Sequence, residues 1–197
     1  MSRTAKIERT TKETQIKLEL DLDGIGKYQI DTPIGFFNHM LELFSKHGLF
    51  DLTIKATGDV EYDDHHIIED VGIVLGQAIN KAIGNKKGIK RYGSQILPMD
   101  EVLCLTAVDL AGRFAYEDNY QPVREKVNDF PTEMLWHFMQ QVALEAKMNL
   151  HIQFLNSGRN EHHRLEAIFK SFARALREAC EIEERAKNQL PSTKNKL

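Results

Sequence analysis

His65-His66-Ile67-Ile68-Glu69 recurs as His162-His163-Arg164-Leu165-Glu166, 97 positions further on (65 to 162). The chain carries eight histidines in 197 residues. At that frequency chance supplies roughly 0.03 copies of His-His-x-x-Glu. Two copies therefore point to a duplicated stretch of chain, and the flanking sequence agrees. Asp21-Leu22-Asp23-Gly24 matches Asp109-Leu110-Ala111-Gly112 at a shift of 88, which sets Glu13 opposite Glu101. Past an insertion of roughly ten residues between Arg113 and Arg124, the shift becomes 98. In that register His39 meets His137, Leu52 meets Leu150 and Ile54 meets Ile152.

Each half reads as two or three strands, a helix, a strand and a longer helix. Ile16-Lys17-Leu18-Glu19-Leu20 and Leu150-His151-Ile152-Gln153-Phe154 alternate with period two, the pattern of a strand with one buried face. Residues 36–46 and 134–146 space their apolar positions by three and four, and Gly48 reads as the stop of the first. Longer helices are expected over residues 64–83 and 160–186. Their stripes, Ile67, Val71, Val74 and Ala78 in one and Leu165, Ile168, Phe172, Ala175 and Ala179 in the other, suit packing on a sheet. Asp64 and Asn160 stand where N-caps belong, so both His-His pairs fall in a first helical turn. The expected fold class is α+β: a duplicated half-domain, each half a small mixed β-sheet with helices packed on one face. Residues 1–90 form the first half-repeat, 91–187 the second, and 188–197 a flexible C-terminal tail, the halves making one compact unit.

Composition narrows the function. The chain is 42% hydrophobic and 28% charged with a net charge of −3, an ordinary globular balance without the basic excess of a nucleic-acid binder. Cys104 and Cys180 lack Cys-x-x-Cys spacing, which argues against a disulfide framework or a thiolate zinc site. No apolar run approaches the roughly 20 residues of a membrane span, and residues 1–12 are polar rather than signal-like. A cytoplasmic location without membrane or nucleic-acid partners is the expectation.

Adjacent helical residues point about 100° apart. His65 and His66 therefore serve different ions, while Glu69 lies within reach of either. The same holds for His162, His163 and Glu166. With His39 and His137 added from the preceding helices, six imidazoles and two carboxylates make up two sites of mixed nitrogen and oxygen donors. Such donors suit manganese, iron, nickel or zinc. Any one of these histidines alone would be read as a surface cap; the repetition with a matching third histidine is what argues for ligands. His151 alternates within a strand and reads as structural. His47, at a helix end, suits either the helix dipole or a site. Arg91, Arg113, Lys170 and the tail Ser192-Thr193-Lys194 are candidate anion contacts. Arg113 follows Gly112 at a strand end where a guanidinium can grip phosphate, and Lys170 suits either an anion or an i,i+4 pair with Glu166.

Thr11-Lys12-Glu13-Thr14, Phe37-Asn38-His39-Met40-Leu41, His65-His66-x-x-Glu69-Asp70, Pro98-Met99-Asp100-Glu101, Asn160-x-His162-His163-x-x-Glu166-Ala167-x-Phe169-Lys170 and Pro191-Ser192-Thr193-Lys194 together resemble the imidazoleglycerol-phosphate dehydratase family over essentially the whole chain. The resemblance implies a hydro-lyase of histidine biosynthesis that converts D-erythro-imidazole glycerol phosphate to imidazole acetol phosphate. It also implies two divalent ions per active site, manganese by preference, and a large homo-oligomer, a 24-mer, with sites between subunits. It matches His39, His65, His66, Glu69, His137, His162, His163 and Glu166 to metal ligands, and Glu13, Arg91, Arg113, Lys170, Ser192 and Lys194 to substrate contacts. Thr193 and His47 fall inside matching stretches. Leu43, Phe114 and Asn195 depart from the family pattern, where glutamine, proline and glycine are frequent.

The expected reaction removes a proton from a carbon with no adjacent carbonyl. A metal-bound imidazolate, passing through a diazafulvene-like intermediate, would serve as the electron sink. Glu13 is the first candidate for the base, with Glu69 and Glu166 as rivals. Two other classes fit the ligands less well. A two-metal hydrolase usually leans on aspartates, and a metal-storage assembly has no use for basic residues near its ions.

Overall fold

The structure, a computed structural model, describes residues 3–194, 196 and 197. The first half runs β1 (Thr4–Thr10), β2 (Thr14–Asp21), β3 (Tyr28–Asp31), α1 (Gly35–Gly48), β4 (Asp51–Gly58) and α2 (His65–Ile83). The second runs β5 (Tyr92–Met99), β6 (Val102–Asp109), β7 (Ala115–Asp118), the small hairpin β8 (Lys126–Val127) and β9 (Phe130–Pro131), α3 (Met134–Glu145), β10 (Asn149–Asn156) and α4 (Glu161–Cys180). A 3-10 turn follows at Glu184–Ala186. The sheet orders are β1-β2-β4-β3 and β5-β6-β10-β7, the same order in equivalent strands. In both, the last two neighbours pair in parallel and the others antiparallel. The duplication is thus one of topology as well as of sequence.

The alternation in β2 buries Ile16, Leu18 and Leu20 and leaves Lys17 and Glu19 outside. Helices therefore cover one face only: α2 lies on β1, β2 and β4, and α4 on β5 and β6. Each long helix has a second partner from the other half, since α1 packs on α4 and α3 on α2. Between the sheets, Phe37 meets Phe138 edge-on at 5.2 Å, Phe138 stacks on Phe169 at 5.5 Å, and Phe44 meets Phe172 at 5.5 Å. All five rings are fully buried.

Two expectations need correction. The long second helix ends at Cys180, not at residue 186, because Glu181 turns extended (ψ 145) and Ile182 bridges to Ile89. That bridge is a tertiary contact with no glycine or proline to announce it. Asp64 makes no capping bond, since its backbone is already helical; Asp63 instead accepts the His65 N–H at 2.9 Å. Asn160, with an extended backbone, does cap α4 through the His162 N–H. As expected, α1 stops at Gly48, and its left-handed cap is Leu49 (φ 57), whose N–H reaches the Ser45 carbonyl. The inserted chain begins after β7, inside the stretch expected between Arg113 and Arg124. The link from β7 to α3 spans residues 119–133, where the β3 to α1 link is only 32–34.

Close approach of α2 and α3 depends on two glycines one turn apart. A Cβ on Gly76 would stand 2.7 Å from the Val142 carbonyl oxygen and 2.6 Å from Glu145 Cβ, and one on Gly72 would stand 2.9 Å from the Phe138 carbonyl oxygen. Gly76→Ala must push the two backbones apart. Overpacking of this kind costs about 1–3 kcal/mol, to be measured as a lower urea midpoint at unchanged m-value.

Candidate metal centre

The crossed packing of the short helices decides which histidines meet. His39, one turn into α1, comes to α4 of the other half. Its Nε2 lies 2.9 Å from Glu166 Oε1, and His162 Nε2 lies 3.1 Å from the same oxygen. Ligand atoms of these three residues all fall within 4.8 Å of one another. In the second cluster His65 Nε2 is 3.5 Å from Glu69 Oε2, and its ring centroid is 4.7 Å from that of His137. Each trio thus takes two residues from one half and one from the other. No hydrogen bond, ion pair or ring contact joins the trios among the described residues. In the first trio two imidazole nitrogens converge on one carboxylate oxygen, a donor set suited to a borderline divalent cation.

The two carboxylates are steered by different partners. Lys170 Nζ donates to Glu166 Oε2 at 2.6 Å. Burial would raise the Glu166 carboxyl, but the Lys170, His39 and His162 hydrogen bonds prevail and hold it at about 2. It is an ionised, ligand-ready group at any physiological pH. Glu69 Oε1 instead accepts from Gln141 Nε2 at 2.7 Å. The counterpart of Gln141 in the first half is Leu43 (98 positions apart), which cannot donate, so Glu166 takes Lys170 beside its two histidines where Glu69 takes an amide.

His66 and His163 stand apart from both trios, each anchored at Nδ1. His66 Nδ1 lies 3.1 Å from Asp59 Oδ1, a contact that raises the His66 imidazole pKa. His163 Nδ1 lies 2.9 Å from Glu101 Oε2. At His66 the carboxylate on Nδ1 favours the tautomer that leaves Nε2 as a lone-pair donor. His163 Nε2 is also 3.3 Å from Asp100 Oδ2. Neither Asp59 nor Glu101 was assigned a role from sequence. Glu101 left a trace in its alignment with Glu13; Asp59 lies in a loop whose length differs between the halves and left none.

The substrate-contact candidates divide between two ends of the molecule. Glu13 lies beside His66, in a cleft of about 290 Å³ lined also by Thr11, Lys12, Gly58 and Asp59. Lys170 stands against Glu166. His47, two turns along α1 from His39, is held below the ordinary imidazole value by burial and by the Lys170 and Arg174 charges. At the far end, the Arg91 N–H donates to the Ala179 carbonyl, 17 residues beyond His162 on α4 (162 to 179). At 1.5 Å per residue that separation is about 25 Å. The Arg91 guanidinium makes a bidentate pair with Asp109 at 2.7 and 3.1 Å and donates to the Pro191 carbonyl at 2.9 Å. Arg113 is exposed, its carbonyl bonded by Asn149 at the start of β10. The tail lies at that end too: Gly88 N–H reaches the Gln189 carbonyl, and Ser192 Oγ bonds the Lys196 carbonyl and the Lys194 N–H. Thr193 is exposed and Phe114 is 42% exposed. Asn195 lies outside the described residues.

A family model described as imidazoleglycerol-phosphate dehydratase matches residues 32–176. The chain is 52% identical over 197 residues, the whole of both chains, to the imidazoleglycerol-phosphate dehydratase of Geobacillus sp. (strain WCH70). It is 53% identical over 194 residues, 98% of each chain, to that of Lachnoclostridium phytofermentans. Among solved structures, the imidazoleglycerol-phosphate dehydratase of Staphylococcus aureus superposes with a TM-score of 0.82 at 40% identity, over 91% of this chain and 99% of that one. The enzyme from Pyrococcus furiosus, in complex with (S)-C348, gives 0.81 at 34% identity, over 97% and 100%.

The Glu101 carboxyl accepts from His163 and from the Arg159 and Asn160 N–H groups, which together hold it at about 2 against an ordinary 4.5. A carboxylate depressed in the folded state contributes stability that is present above pH 4.5 and lost as pH falls toward 2. In Glu101→Gln the decline of stability between those values is expected to be shallower. Urea midpoints of the two proteins at pH 7, 4.5 and 3 measure this, and parallel declines would refute it.

Proposed function

The chain belongs to the imidazoleglycerol-phosphate dehydratase family and is a hydro-lyase of histidine biosynthesis; from that premise we propose that it dehydrates D-erythro-imidazole glycerol phosphate to imidazole acetol phosphate with two divalent metal ions. The observation that carries this reading is the His39–His162–Glu166 trio assembled across the duplicated halves, with His65, its pair Glu69 and the neighbouring ring of His137 in the equivalent place. Manganese is our choice of metal, on the donor set and the family resemblance. Bound there, the ions supply Lewis-acid polarisation of the substrate's imidazole, which makes the ring an acceptor for electrons.

The carboxylates differ in their freedom to act as a base. Both Glu166 oxygens are engaged, by His39 and His162 on one side and Lys170 on the other, and its carboxyl at about 2 makes it a weak base. Glu69 is held between Gln141 and His65. The Glu13 side chain is exposed and makes no hydrogen bond or ion pair among the described residues, while its backbone is fixed by the Thr11 hydroxyl and the Asp59 N–H. We therefore assign Glu13 the removal of the carbon-bound proton. Arg91, Arg113 and Ser192 to Lys194 take the substrate phosphate, with Lys170 and His47 lining the metal end. Phosphate binding remote from the bond changes orients the reacting end.

The separation of about 25 Å along α4 between His162 and the Arg91 end is too long for one phosphorylated imidazole. The phosphate of a substrate held by one chain's trio is therefore taken by a neighbouring chain. His66 and His163, anchored at Nδ1 and turned from their own trios, serve as ligands to a neighbour's ions. This reading calls for a homo-oligomer, and the family resemblance supports a 24-mer. A cytoplasmic location is consistent with two free, buried cysteines and with no described helix long and apolar enough to cross a membrane.

The decisive assay is product analysis: a new ketone without phosphate release supports the lyase, and released phosphate supports hydrolysis. His65→Ala and His162→Ala should each lose bound metal and turnover together, read by elemental analysis beside the rate. Glu13→Gln should keep metal, fold and substrate affinity while kcat falls roughly 10²–10⁴-fold. An unchanged rate would move the base to another group.

A further inference from the structure

The long link between β7 and α3 is tied down at two points, and both lie on the first turns of the helices that build the His39–His162–Glu166 trio. On α4, the buried Glu161 carboxylate accepts the Tyr120 hydroxyl at 2.6 Å and the Val123 N–H at 2.8 Å. Arg164 pairs with Glu161 at 3.3 Å and donates to the carbonyls of Gln121, Ser157 and Gly158. These two charges flank the turn that presents His162 and His163. On α1, the N-cap position is Ile34, whose side chain can accept nothing. The missing cap comes from Asp129 in the β8–β9 turn, which accepts the Gly35 N–H at 2.6 Å and the Phe36 N–H at 2.9 Å. Phe130 stacks on Phe37 at 5.7 Å, and Phe36 stands edge-on to His162 at 5.1 Å and to His39 at 6.1 Å.

Resting on the two-metal reading, we infer that residues 119–133 are a strap that spaces His39 from His162 for one of the two ions, and that Asp129 and Glu161 are positioning residues for that ion alone. A carboxylate on the N–H groups of a first turn fixes both the end and the direction of a helix. His39 lies one turn beyond that anchor, so slack at the cap becomes displacement at its imidazole. The β3 to α1 link of the first half has no such extra chain. The His65–His137 pair is set instead by the glycine contact of α2 with α3. Among the described residues one ion pair runs from the strap to α2, the half-exposed Lys126 with Asp64 at 3.5 Å, of a kind that contributes little.

The test is calorimetric titration of the metal-stripped full chain with Mn2+ alone. His39→Ala and His137→Ala assign the two binding classes. Asp129→Ala should weaken the class lost in His39→Ala by roughly ten- to a hundredfold while the other class stays within about twofold, the range seen when an outer partner of a metal ligand is removed. Asp129→Asn, which keeps one acceptor oxygen, should recover part of the loss. The sole tryptophan gives a second readout: Trp136 stands edge-on to His137 at 5.0 Å. Its quenching by Mn2+ should keep its midpoint in Asp129→Ala. Equal weakening of both classes, or of neither, overturns the inference while leaving two ions in place. A wild-type chain that binds no Mn2+ would sink the two-metal reading itself, and the strap's role with it.

Discussion

The rest of the structure depends on the crossed contact of helices between the two halves. A long helix with apolar residues on more than one side cannot bury them all against its own sheet. α2 and α4 each bury one side on a sheet and offer another to the short helix of the opposite half. The Phe37, Phe138 and Phe169 rings close the space between. Burying large apolar side chains contributes about 1.5–3 kcal/mol each, so separating the halves would expose the centre of the core. The same contact carries His39 to Glu166 and His137 to His65. Stability and ligand grouping therefore rest on one packing decision.

Duplication has not made the trios identical. Glu166 is set by a charged partner and Glu69 by an amide, and the strap's hydrogen-bonded anchors lie on the helices of the first. The equivalent sheets keep the same strand order, while the loops and second contacts have diverged. Buried sheet and helix faces tolerate few changes in volume, whereas loops accept insertions at small entropic cost. The insertion after β7 is such a loop, turned to use by the hydrogen bonds at its two ends.

Much of this was legible in residue order. The period-two runs at Ile16 to Leu20 and Leu150 to Phe154 became β2 and β10, and the repeated His-His-x-x-Glu began two helices. Less legible were the helix ends. Cys180 closes α4 because Ile182 finds Ile89 across the molecule, and Asp63 rather than Asp64 caps α2 because only Asp63 is placed to receive the N–H. Asp59, Glu101 and Asp129 were hidden for the same reason: a single acidic residue in a loop has no periodic signature, and its value lies in what it faces.

By itself the sequence determined the duplication, the strand and helix periodicities, the residue types of the candidate ligands and their place in first helical turns, since all of these are local properties of an ordered chain. Tertiary structure alone decided that His39 joins His162 and Glu166 while His137 joins His65, that His66 and His163 are anchored by Asp59 and Glu101, and that Arg91 and Arg113 stand at the far end of α4 from His162. Periodicity states which side of a helix is buried but not against which partner, and partner choice follows from how two amphipathic layers fit together in space.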